Sequence, residues 1–394
     1  MWPAFGRSRC YNVSTLPSLL DGAAQAARLG STSFKFGLKG DMKSMYPFNN
    51  AGSDAWPAAF HSLTDIVQHP QLQKLLLNTM QTGFDSYTLW AYRPGAPDSP
   101  YCEGKPISAT ELAAETAEMA ALTEALMALP VSKPTTFWIE MWENDWATRC
   151  GSYDPTIPPS KEVVGAYTAW LQARQNGVTQ GRATFCTKRK GLLRDGVDSI
   201  DCTDSRAVIN AAAVNVFNGA EVNLVGACVH NVSCGNIVRA VLPHVPLDYV
   251  SYSSYDTMRT PQLADALDLI AAQHKRTPAS PERALFITEF GLPETSTDPK
   301  VVMQVVNNVL SIGWSKQLAR VHYWQVINNE KLGGGGCTTP LFDPAKQNGF
   351  WTTLPNGTLS LVGQYLKDVI SGARPMPPLQ ISTSAGQSNP VGGR

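Results

Sequence analysis

Apolar runs of strand length alternate with amphipathic stretches along almost the whole chain. That rhythm predicts a parallel sheet whose strands are joined by helices. Residues 15–29 predict a helix, which Ser14 or Thr15 can cap, Pro17 can open and Gly30 can stop. A strand follows at 32–38. A largely helical stretch at 63–80, with Pro70 as a break, leads to a strand at 85–92. The Ala/Glu/Leu/Met-rich segment 110–129 has high helix propensity, and 135–141 is the next strand. Beyond a Pro-containing loop the pattern predicts helices at 161–174 and 207–217, with a Cys-bearing insertion around 186–202 between them. Strands at 221–227, 247–253, 284–289 and 320–326 complete the set, with helices at 261–274, 301–312 and 359–371.

The expected fold class is therefore α/β, a (β/α)8 TIM barrel, and 394 residues suit one barrel with long loops. Seven strands are legible, so the first is expected to be truncated or degenerate, at or before residues 1–5. An open doubly wound sheet would show a glycine-rich phosphate turn, and neither GxGxxG nor GxxxxGK[ST] occurs. Residues 1–372 are expected to form the catalytic domain. Residues 373–394, rich in Pro, Gly and Ser, read as a disordered tail. No repeat of fixed period is present.

Composition narrows the function classes. Lys+Arg and Asp+Glu are both 32, so no basic surplus points to nucleic acid. No apolar run is long enough to span a membrane. Charged residues are only 16%, while ten Trp and twelve Tyr suit an enzyme that stacks uncharged rings. The six His are scattered without HxH or HExxH, and GxSxG is absent, so neither a metal, another cofactor nor a serine elbow is expected. Eight Cys, none in a CxxC pair, favour disulfides and an oxidising compartment over eight reduced thiols. Sequons begin at Asn12, Asn231 and Asn356, a number that chance can also supply. A secreted monomeric glycoprotein is the expectation, its signal peptide lying outside this chain.

A (β/α)8 barrel assembles its site at the C-terminal ends of its strands. Residues 135–146 leave an apolar run and end in Glu143, Asn144 and Asp145. Residues 284–294 place Glu289 just before a Gly turn. Carboxylates at the ends of buried strands are costly unless paired or used. Two of them across one mouth are what glycosidic cleavage needs, one to donate a proton and one to attack the anomeric carbon or activate water. The plain structural alternatives are a salt bridge from Glu289 to Arg93 or Lys35, and a solvated loop acid at Glu143. Glu140 and Asp145 compete with Glu143 as the acid.

The run Ile-Thr-Glu-Phe-Gly at 287–291 resembles the nucleophile strand of clan A glycoside hydrolases, retaining (β/α)8 enzymes. The resemblance spans the chain in element order, but its specific matches are four strand ends. It implies Glu289 as nucleophile and Glu143, ending the fourth strand of the eight, as acid/base. Tyr255, with Tyr252 second, corresponds to the clan's nucleophile-bonding Tyr, and Trp324 to its sugar platform. One departure is clear: Trp142 precedes Glu143 where the clan usually has Asn, and Asn144 follows it. Trp142, Asn144 and Trp146 join Tyr255, Tyr252 and Trp324 as candidate substrate-binding residues, and Trp351 offers a further ring. Retention requires carboxyl groups about 5 to 5.5 Å apart. The expected activity is a retaining glycosidase on a poly- or oligosaccharide. The alternatives are a transglycosylase, which shares every catalytic residue, and a carbohydrate-binding protein on a degenerate barrel.

Barrel order also orders the cysteines. Cys228 and Cys234 flank a short loop, and Cys186 and Cys202 bracket the insertion. Cys102 and Cys150 follow neighbouring strands. Cys10 and Cys337 remain, and they can meet only if the sheet closes.

Overall fold

The computed structural model of the protein describes residues 10–152, 154, 157–188, 201–334, 336, 337 and 340–375. Seven strands form one sheet: β1 (Ser33–Leu38), β2 (Ser86–Ala91), β3 (Thr135–Glu140), β4 (Val214–Val222), β5 (Tyr249–Ser253), β6 (Leu285–Phe290) and β7 (Val321–Tyr323). They lie side by side in chain order, and every pairing is parallel. Parallel neighbours joined by helical crossovers give a (β/α)8-type barrel with seven described strands. The expected first strand lies outside the described residues, as does the tail from residue 376.

The gap between β7 and β1 is nonetheless spanned. Ser33 Oγ on β1 lies 2.9 Å from His322 Nε2 on β7. Cys10 bridges to Cys337 with Cα atoms 5.0 Å apart, and its amide donates to Asn328 O at 3.0 Å. The pairs Cys102–Cys150, Cys186–Cys202 and Cys228–Cys234 are also bonded, so all four expected bridges form. The barrel is nearly closed. No helix among the described residues is long and apolar enough to cross a membrane.

Local chemistry explains most element ends. Ser108 and Glu111 form a capping box at the start of helix Ala109–Met127. The stretch at 63–80 breaks before Pro70, into Leu63–Gln68 and Pro70–Leu76, because the residue before proline is driven to extended backbone; His69 has ψ 138°.

Three glycines overturn expectations. The helix expected at 161–174 continues to Lys188. Gly177 and Gly181 do not stop it but let it touch helix Ala109–Met127, since a Cβ on them would lie 2.4 Å from Thr116 O and 2.5 Å from Ala120 O. The helix expected at 207–217 is only Ser205–Ala211, and the strand expected at 221–227 is β4, which begins at Val214. Asn218-Gly219 reads locally as a turn. In the barrel Gly219 clears space for the Tyr249 ring, whose carbons would lie 2.6 to 2.7 Å from a Cβ there.

Side chains alternate across each strand, so every second residue faces the barrel interior. Near the strand starts that interior is aromatic. Trp138 sits against Phe217 at 5.0 Å, Tyr249 at 5.1 Å and Phe286 at 5.5 Å between ring centroids. Two residues further along β3, β5 and β6, and four along β4, the same strands turn polar.

Candidate active site

Lys35 on β1 stands at the centre of the upper barrel interior and is fully buried. Its ammonium lies 3.0 Å from Glu140 Oε1, 3.1 Å from Glu221 Oε2 and 3.1 Å from Glu289 Oε1, and donates to Thr288 Oγ1 at 2.6 Å. Burial works against its charge, but the three carboxylates outweigh that and hold its pKa above the usual lysine value. It also lies over the Trp90 ring, 4.6 Å from the centroid.

Each acid has further partners. Glu140 Oε2 accepts from Ser251 Oγ at 2.6 Å and Tyr249 Oη at 3.3 Å, and Oε1 accepts from Thr288 Oγ1 at 2.9 Å. Glu221 accepts from Trp90 Nε1 at 2.8 Å and from the Ser253 hydroxyl. Burial pushes the Glu221 carboxyl well above its usual range. Lys35 opposes that shift, while Glu289 and Glu140 add to it. Glu289 ends this network at the mouth, where Tyr255 Oη donates to its Oε2 at 3.3 Å. Burial, then the Glu289 charge, keeps the Tyr255 hydroxyl protonated and able to donate.

The local backbone makes this convergence possible. Strict alternation would send Thr288 and Glu289 to opposite faces of β6. The register of β6 shifts against both neighbours around these residues, and both side chains reach Lys35.

Glu143 lies just beyond β3, at the head of the short helix Asn144–Ala147. It is buried, at 8% exposure, and holds a left-handed backbone at φ 22°. Non-glycine residues in that region are held there by their surroundings. Burial, then the Glu289 charge, raises its carboxyl well above the usual range, against partial opposition from Lys35 and the Trp142 side chain. These influences favour the protonated form of its carboxyl.

The other candidates divide. Trp324 follows β7, is half-buried and lies 6.5 Å from Trp90 between ring centroids; its peptide bond to Gln325 is cis. Trp142 is half-buried beside Glu143, and Trp146 is half-buried one turn on. Tyr252 and Asn144 are engaged with other protein groups. Tyr252 falls on the outer face of β5, where its hydroxyl bonds Asp256 Oδ1 at 2.5 Å and Thr257 Oγ1 at 2.6 Å. Asn144 is 1% exposed, its carboxamide bonded to Met141 O, Trp142 O and the Tyr167 hydroxyl. Trp351 is buried at 4% exposure. Glu140 is enclosed by four donors. Asp145 pins the loops after β4 by accepting from Ile237 N at 2.9 Å and Asn223 N at 3.2 Å. The salt bridge foreseen for Glu289 does form with Lys35, whereas Arg93 pairs with Glu115 at 3.4 Å.

Sequence reasoning missed Glu221 and treated Lys35 only as a possible partner. A signal existed: Lys35 is a lone charge between Phe34 and Phe36 in an apolar run. A buried lysine needs carboxylates.

No family profile matches the chain, and no curated protein sequence matches it. The solved structures similar to it include the following three. The first is a family 39 glycoside hydrolase from the gut symbiont Bacteroides cellulosilyticus WH2 (TM-score 0.47, 11% identity, 92% of this chain and 62% of that one). The second is a glucosidase from Croceicoccus marinus (TM-score 0.43, 12% identity, 92% and 68%). The third is a GH18 chitinase from Pseudoalteromonas aurantia (TM-score 0.40, 13% identity, 80% and 92%). The chain thus spans 62% of the length of the first.

Proposed function

We propose that the protein is a retaining glycoside hydrolase in which Glu289 is the nucleophile and Glu143 the acid/base. One observation carries this reading. Two carboxyl groups at the barrel mouth sit in opposite environments: Glu143 is buried and pushed toward its protonated form, while Lys35 at 3.1 Å and the Tyr255 hydroxyl at 3.3 Å favour the Glu289 anion.

In the first step Glu289 attacks the anomeric carbon. The glycosidic C–O bond breaks as Glu143 gives its proton to the leaving oxygen. In the second step Glu143 takes a proton from water, whose oxygen displaces Glu289 from the anomeric carbon and restores both groups. Two inversions at one carbon give net retention. Trp324, Trp142 and Trp146 offer ring faces to the sugar. Four disulfides and a carbohydrate substrate fit an extracellular setting.

Activity against a glycan panel, with two variants, tests the reading. Glu289→Ala is expected to abolish turnover, and azide to rescue it with a product of inverted configuration. Glu143→Ala is expected to lose turnover of natural glycans but keep activity on aryl glycosides whose leaving group needs no proton. Full activity of Glu143→Ala on natural glycans would remove it from the acid role. A wild-type protein that binds glycans without cleaving any would be a binding protein.

A further inference from the structure

A cleft of about 670 Å³ opens between the loops that follow β1, β2 and β3. That volume is in the range of small-ligand sites. The cleft adjoins Glu143 through Trp142, which lines it and whose side chain also hydrogen-bonds Glu143. Its walls are built in advance of any ligand. The Cys102–Cys150 disulfide, itself part of the lining, joins the β2 loop to the β3 loop. Next to it Tyr101 is fully buried, with ring centroids 4.7 Å from Tyr167 and 5.3 Å from Trp170.

The lining has the chemistry of sugar recognition, flat rings interleaved with hydroxyl and carboxylate groups. Tyr92 and Trp142 supply the rings. Asp41 contributes a carboxylate to the lining, and its Oδ1 is buried and makes no hydrogen bond among the described residues. Lys39 is already paired with Asp98 at 2.7 Å. Glu103 is likewise paired with Lys105 at 2.6 Å, so Asp41 is the acid of the lining without a salt-bridge partner among the described residues, and it disfavours an anionic ligand beside it.

We infer that this cleft holds further neutral sugar units of the glycan cleaved at Glu143 and Glu289. The substrate class is then a neutral oligo- or polysaccharide, not a single sugar on a small aglycone and not a polyuronate. The inference rests on the glycosidase reading for its chemistry, and on the cleft for its chain-length preference.

The test uses the whole chain, p-nitrophenyl monoglycosides, four neutral hexaoses (cellohexaose, laminarihexaose, xylohexaose and mannohexaose) and hexagalacturonate. At least one hexaose is expected to exceed its monoglycoside in kcat/KM by about tenfold or more. Ser44→Trp, which fills the cleft from one wall, is expected to lower that ratio about tenfold, and Ser99→Trp does the same from the facing loop if the first variant does not fold. Hexagalacturonate is expected neither to bind nor to react. Equal rates on monoglycoside and hexaose, a ratio unmoved by either variant, or a preference for hexagalacturonate each overturn the inference. Calorimetry separates the two readings. Hexaose binding that Ser44→Trp removes, without any hydrolysis, keeps the cleft and sinks the glycosidase. The absence of binding by every neutral hexaose sinks the cleft.

Discussion

The barrel interior holds two layers drawn from the same strands, two residues apart on β3, β5 and β6 and four apart on β4, and they solve burial in opposite ways. In the lower layer Trp138, Phe217, Tyr249 and Phe286 pack ring on ring, with Tyr249 and Phe286 stacked at 5.1 Å. In the upper layer Glu140, Glu221, Ser251 and Thr288 replace them and surround Lys35. The lower layer gains from removing apolar surface from water and needs few directed bonds. The upper layer gathers three carboxylates about one ammonium, an arrangement that weighs against stability unless every charge is paired. A fold needs the first kind of layer, whereas chemistry needs the second. Tyr249 ties them together, its ring in one layer and its hydroxyl on Glu140 in the other.

The sharpest way to break the comparison is to remove the hub. Lys35→Met leaves three buried carboxylates without their cation. Denaturant unfolding is expected to show a loss of about 3 to 5 kcal/mol, and the folded fraction is expected to be inactive because Glu289 loses its counter-charge. An active, stable Lys35→Met protein would mean that the upper layer is indifferent to its cation.

Phe286→Ala acts on the lower layer alone. A loss of about 3 to 5 kcal/mol is expected from the cavity it leaves, with kcat/KM per folded molecule nearly unchanged. If activity falls as steeply as stability, the two layers are not separable.

The smallest effect is in the pH dependence. The Glu143 and Glu221 carboxyls are raised above 4.5 in the folded state, chiefly by burial. A raised pKa means that the folded state binds the proton more tightly than the unfolded chain. The stability these groups contribute is therefore complete below about pH 4.5 and is lost as pH rises through their folded values. Urea midpoints are expected to fall from pH 5 to pH 8, and Glu221→Gln is expected to flatten that slope. A midpoint that rises over this interval for the wild type would reverse the assignment.

How much was legible beforehand differs between elements. Strands at β1, β2, β3 and β6 were visible because each is an apolar run bounded by polar or turn residues. The β4 strand was misplaced because its glycine serves a contact 30 residues away in sequence, with Tyr249. Glu289 and Glu143 stood out as carboxylates ending buried segments. Asn144 and Tyr252 looked equally available, and only their partners, Tyr167 and Asp256, reveal that they are committed elsewhere.

By itself the sequence determined what repeats locally: the order of strands and helices, the stop at Gly30, the break at Pro70, and through barrel order the four cysteine pairs, whereas the first helix begins at Ser18 after Pro17 and not on a Ser14 or Thr15 cap. Strand alternation and helix periodicity are properties of the backbone that neighbouring residues express without help. The tertiary structure alone decided that Lys35, Glu140, Glu221 and Glu289 share one point, although Lys35 and Glu289 are 254 residues apart. It also decided that a register shift turns Thr288 and Glu289 to the same side. Those outcomes depend on which strands close beside which, and a charge meets its partner there through space and not along the chain.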